Sequence, residues 1–89
     1  MSAPEPGVAL ISAPGDKAEA IAARIVERHL AACAQVTTDV ISLYWWKGRM
    51  ERDTERLVIL KTDRSQITAI RDLLAEIHPY EVPELSFSP

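Results

Sequence analysis

The chain has 89 residues, 47% hydrophobic and 26% charged, with a formal net charge of −3. That length makes one domain near the low end of what folds on its own core, and the composition excludes a disordered chain. The acidic balance gives no electrostatic ground for binding nucleic acid or an anionic membrane.

Residues 1–6 hold two prolines and no periodicity, so they are expected to form a flexible tail. Val8 to Ser12 is a short, almost wholly apolar run, as in an interior strand, and Pro14-Gly15 ends it. Asp16 and Glu19 have the spacing of a capping pair. From Lys17 to about Ala31 the apolar residues Ala18, Ile21, Ala22, Ile25 and Val26 repeat at three and four, predicting a helix on a sheet. A second strand starting near Cys33 feeds a hairpin whose tight turn is Lys47-Gly48. Counting outward pairs Trp46 with Arg49, Trp45 with Met50 and Tyr44 with Glu51, and in the same register Cys33 with Thr62. A bulge or bend is expected near Thr37-Thr38-Asp39. The return strand contains Leu57-Val58-Ile59-Leu60 and ends near Thr62. Asp63 or Ser65 can cap a second helix with the apolar stripe Ile67, Ile70, Leu73, Leu74 and Ile77. Pro79 stops that helix near His78, and Glu84 to Phe87 reads as a last strand. The order β-α-β-β-α-β describes an α+β, ferredoxin-like two-layer sandwich with a long central β-hairpin, one domain over residues 1–89.

Two features point to self-association. A strand from Cys33 to Trp46 would reach roughly 45 Å, whereas helices of this size span about 20–23 Å. The tip, with Tyr44, Trp45, Trp46 and Met50, therefore overhangs and is expected to be an oligomer interface. Moreover, Leu57 to Leu60 and Val8 to Ile11 do not alternate as strands with one wet face do. The face away from the helices should be buried, and another copy of the chain is the simplest cover.

Leu30-Ala-Ala-Cys-Ala34, Ser42-Leu-Tyr-Trp-Trp-Lys-Gly48, Ile59-Leu-Lys-Thr62 and His78-Pro-Tyr-Glu-Val-Pro-Glu84 occur in that order. Together they resemble the CutA family of divalent-cation tolerance proteins, over about Leu10 to Phe87. The resemblance implies a ferredoxin-like protomer, a homotrimer and a role in tolerance of copper and other divalent metals. It also implies kinship with PII-type signalling trimers, which bind small ligands in clefts between subunits. Members associated with copper have a first-strand cysteine and two adjacent histidines ending the second helix; here Ile11 and Ile77-His78 stand there. Thr38-Asp39 replaces a frequent Pro-Gly, and the sequence stops at Pro89 where many members continue.

Candidate metal ligands are therefore His78 and Cys33, for Cu(II) or another divalent cation held weakly. His78 could instead serve a helix C-terminus, and Cys33 could be a small buried hydrophobe. Tyr80, Glu81 and Glu84 lie on a proline-stiffened connection and are candidates for a ligand cleft. Trp45 and Trp46, with Arg49, form either a subunit plug or a stacking platform. Gly-rich phosphate loops, nucleophile elbows and His-Glu metal motifs are lacking, so a non-enzyme is expected. One cysteine excludes an internal disulfide and fits a reducing compartment. With no basic signal start and no apolar run of about 20 residues, a cytoplasmic protein without membrane partners is expected. The expected function is a homotrimer of divalent-metal homeostasis, with a PII-like small-molecule sensor or a trimeric scaffold as alternatives.

Overall fold

The structure, a computed structural model, describes residues 3–77 and 85–89. Its elements are β1 (Pro6–Ala13), α1 (Gly15–Glu27), β2 (Cys33–Val36), β3 (Val40–Trp46), β4 (Arg49–Asp63), a 3₁₀ turn (Arg64–Gln66), α2 (Ile67–Ile77) and β5 (Leu85–Ser88). The strands lie in the order β2-β4-β1-β5, with β3 also on β4, and every pair is antiparallel. β4 thus lies between β1 and β2, splitting the first β-α-β unit, as the ferredoxin-like fold requires.

One face of the sheet holds the core. Ala9, Ile11 and Ala13 of β1 and Val58 and Leu60 of β4 are buried there, against Ala18, Ile21, Ala22 and Ile25 of α1 and Ile70, Leu73 and Leu74 of α2. Val26, expected in the core stripe, is exposed instead. It lies in the last turn of a helix that ends four residues before the expected Ala31. His29 adopts a positive φ of 58°, and its N–H donates to Val26 O (3.0 Å) while Leu30 N–H donates to Ile25 O (3.0 Å). That pair of bonds closes the helix in a Schellman motif, with histidine where glycine is usual.

At the other end of α1, Pro14 is the N-cap and no side chain caps it, so Asp16 and Glu19 do not form the expected capping box. The Pro14 carbonyl instead accepts from Lys17 N–H (2.9 Å) and Ala18 N–H (3.1 Å). The sequence before α2 behaves as expected. Asp63 accepts from Ser65 N–H (2.9 Å) and also from Glu5 N–H (2.5 Å). Arg64 Nε meets Glu5 Oε2 at 2.5 Å and its guanidinium stacks 4.9 Å from the Phe87 ring. Glu5, placed in the tail by sequence, is thereby tied to the turn before α2, and β1 starts at Pro6.

Candidate functional site: the hairpin and the open sheet face

The β3–β4 register pairs Trp46 with Arg49, Trp45 with Met50 and Tyr44 with Glu51, as counting from the turn predicts. Both turn residues have positive φ, 51° at Lys47 and 76° at Gly48, which suits a type I′ hairpin. Cys33 faces Lys61 rather than Thr62. One extra residue is therefore accommodated between Val36 and Val40, the bulge expected near Thr37 to Asp39. Thr37 holds this point, its N–H donating to Leu57 O (3.0 Å) and its Oγ1 accepting from Leu57 N–H (3.0 Å).

Directly opposed residues of an antiparallel pair share a face, so the register sorts the hairpin into two sides. Ile41, Leu43 and Trp45 share one with Met50, Arg52 and Thr54. Ser42, Tyr44 and Trp46 share the other with Arg49, Glu51, Asp53 and Glu55. Along β4 the first side continues into Val58 and Leu60, toward the helices, and the second into Leu57 and Ile59, away from them. No helix among the described residues reaches the first side of the tip: the molecule measures 46 × 24 × 23 Å, while α1 is about 20 Å long. Trp45 is 75% exposed, Met50 66% and Trp46 59%, with Ile41, Leu43 and Tyr44 also exposed.

On the second side hydroxyls satisfy carboxylates one rung along. Ser42 Oγ donates to Glu55 Oε2 at 2.9 Å, and the Tyr44 hydroxyl donates to Asp53. The Asp53 bond, with slight desolvation and the nearby Glu51 and Glu55, pushes the Tyr44 phenol up to about 12. Lys47 Nζ stands 5.7 Å from the Trp46 ring centroid, a cation–π contact at the tip. Farther along, the open sheet face presents Val8 and Leu10, 38% and 39% exposed, beside half-buried Leu57 and Ile59. The expectation that strand residues pointing both ways are apolar holds, and none of the described residues covers this face.

Among the described residues no three His, Cys, Asp or Glu side chains are placed to hold a cation. Cys33 is half-buried on edge strand β2, and His29 is exposed at the end of α1. His78, Tyr80, Glu81 and Glu84 lie outside the described residues. Sequence reasoning missed a cleft of about 710 Å³ between β1, the end of β4 and the loop after α1, lined in part by Val8, His29, Leu30, Lys61, Asp63 and Gln66. No sequence signal marked it, because the chain reversal that brings His29 to Ala32 beside Lys61 depends on the backbone angle at His29.

The model of the CutA1 divalent ion tolerance protein family matches residues 8–89. The chain belongs to the CutA family. The Protein CutA homolog of Xenopus laevis is 44% identical over 78 residues, which is 86% of this chain and 52% of that protein. The chain thus spans about half the length of the vertebrate CutA relatives it matches. CutA1 from Oryza sativa superposes with a TM-score of 0.89 at 31% identity, covering 99% of this chain and 81% of that one. A CutA from Nostoc sp. described as PII-like superposes with a TM-score of 0.81 at 32% identity, covering 93% and 79%. CutA membership accounts for the hairpin and split β-α-β topology together.

Proposed function

We propose that the chain works as a non-enzymatic homotrimer in divalent-cation tolerance, with copper as its cation, in the cytoplasm. The observation that supports assembly is the uncovered apolar surface, on the hairpin tip and on the sheet face away from the helices. Family membership supports the link to divalent cations. The lack of catalytic motifs in the sequence favours a non-enzyme, and its single cysteine favours a reducing compartment. Because donors do not converge among the described residues, copper is held weakly, through His78 shared between subunits, with Cys33 as the next donor.

Sedimentation at low micromolar concentration tests assembly. A particle near three times 9.9 kDa is expected, and a compact monomer overturns the proposal. Calorimetry with Cu(II) tests the metal: weak heat, lost in His78→Ala and stripped by a mild chelator, is expected. Stoichiometric copper surviving chelation and gel filtration would overturn weak, shared binding.

A PII-like small-molecule sensor is the second reading, favoured by the cleft beside His29 and Lys61 and by the likeness to the Nostoc protein. Tyr80, Glu81 and Glu84 would line its inter-subunit site. Nucleotide heat without metal heat in the same calorimetric series selects it.

A further inference from the structure

At the end of the sheet away from the hairpin tip, the start of β1, the end of β4 and the loop after α1 form the cleft of about 710 Å³. Val8, Leu30 and Ala31 give it apolar walls. Much of its polar lining is already engaged. Thr62 Oγ1 donates to Leu30 O (2.6 Å), and Ala32 N–H donates to Lys61 O (2.9 Å). The Asp63 carboxylate accepts from the N–H groups of Ser65 and Glu5. Three lining side chains stand apart from these bonds. Among the described residues Lys61 makes no ion pair, and neither the His29 imidazole nor the Gln66 amide makes a hydrogen bond. Lys61 and His29 are exposed and Gln66 is half-buried. The cleft thus offers one ammonium and two uncharged polar groups beside an apolar wall.

We infer that this cleft binds a small monocarboxylic acid with an apolar body. The inference rests on the small-molecule reading above and assigns a ligand class to the same cleft. Lys61 supplies a full positive charge, and a hydrogen bond from an ammonium to a carboxylate is stronger than one between neutral groups. A neutral imidazole has one N–H donor and a primary amide has two, so His29 and Gln66 can donate to the remaining carboxylate lone pairs. Val8 and Leu30 take the hydrocarbon. Pockets of this size divide the work in that way: apolar walls hold the body while a few polar groups fix its orientation. Polyphosphates suit the cleft poorly, because they are held by several N–H groups converging at a helix N-terminus. The N-terminus at this cleft, where the 3₁₀ turn leads into α2, is already capped by Asp63. The other helix end here is the C-terminus of α1, whose partial charge is negative. With the Asp63 carboxylate also on the wall, a single ammonium balances one carboxylate rather than a chain of phosphates.

Calorimetric titration of the wild-type protein with isovalerate, isovaleramide and acetate tests this assignment. Isovalerate should bind best. Isovaleramide keeps the shape without the charge, and acetate keeps the charge without the body, so each should bind about tenfold more weakly or worse. Lys61→Met, which keeps an apolar stem, should weaken isovalerate by a similar factor, whereas Lys61→Arg should retain it. Amide chemical shifts in the wild-type protein locate the ligand without any substitution, and those of Leu30, Ala31 and Gln66 should move with isovalerate. Isovalerate that binds no better than its amide, or that leaves those three amides unmoved, overturns the inference. If ATP moves those amides and isovalerate does not, the ligand class is wrong while the small-molecule reading stands. Binding of neither isovalerate nor ATP overturns both.

Discussion

His29 carries the φ of 58° at the end of α1 that glycine adopts without steric cost. An L residue in that region pays roughly 1 kcal/mol for the approach of its Cβ to the following carbonyl. His29→Gly should therefore raise stability by about 1 kcal/mol, less the greater backbone freedom glycine has when unfolded. Denaturant melts of the two proteins check this, and an unchanged or lower midpoint would show that the imidazole contributes a compensating contact. Sequence gave no warning of this stop, because apolar spacing continues through Leu30 and Ala31 while the reversal depends on a backbone angle. The turn residues were legible for the opposite reason. Gly48 marks a positive φ directly, and with it the pairing of Trp45 and Tyr44 with their partners on β4 follows by counting.

At the scale of elements, the start of α2 hangs on Asp63, which accepts N–H groups from both Ser65 and Glu5. The backbone and side chain of Ser65, foremost among its partners, hold the Asp63 carboxyl below its usual range. Its contribution is therefore present above the unfolded carboxylate pKa and is lost as pH falls through the lower, folded value. Asp63→Ala should lower the melting temperature by a few degrees at neutral pH, and the gap from wild type should close on acidification. A gap that persists well below the carboxylate range would assign the loss to packing. Asp63 was recognisable from sequence as a cap because polar side chains just before an apolar helical stripe have few other uses. The failure at α1 is instructive beside it. Asp16 and Glu19 had the right spacing, yet helix geometry begins earlier, at Gly15, and the Pro14 carbonyl takes the first N–H groups.

For the whole molecule, the long dimension of 46 Å comes from the hairpin, as comparison of strand and helix lengths anticipated. Such reasoning works because rise per residue differs about twofold between the two elements. The donor set resisted the same treatment, since bringing Cys33, His29 or any other ligand together depends on loops and neighbouring subunits rather than on periodicity. If the tip is seated on a second copy, covering the Trp45 ring removes on the order of 150–250 Å² from water. Trp45→Ala should then cost about 3–5 kcal/mol where the ring is fully covered. The loss should appear as dissociation before protomer unfolding, with melting more strongly dependent on concentration than in wild type. Full assembly with unchanged melting would reassign the tryptophans to ligand stacking.

The extra residue between Val36 and Val40 has a consequence for how this stretch can change over evolutionary time. On β2, Ala34 and Val36 pack toward the core, whereas on β3 it is the odd-numbered Ile41, Leu43 and Trp45 that take the helix side. The turn at Lys47-Gly48 pins β3 to β4, and four steps from Val36 to Val40 oppose three from Val58 to Glu55. A lineage losing one residue from Thr37 to Asp39 would therefore lose only the bulge, with Val36 still opposite Val58 and β2 keeping its faces. Loss of two residues leaves two steps against three, so β2 slides by one, turning Gln35 inward and Val36 outward, because a slip of one residue exchanges the faces of a strand. Single-residue deletions in this segment should therefore survive, and double deletions should survive only with a compensating change on the same strand.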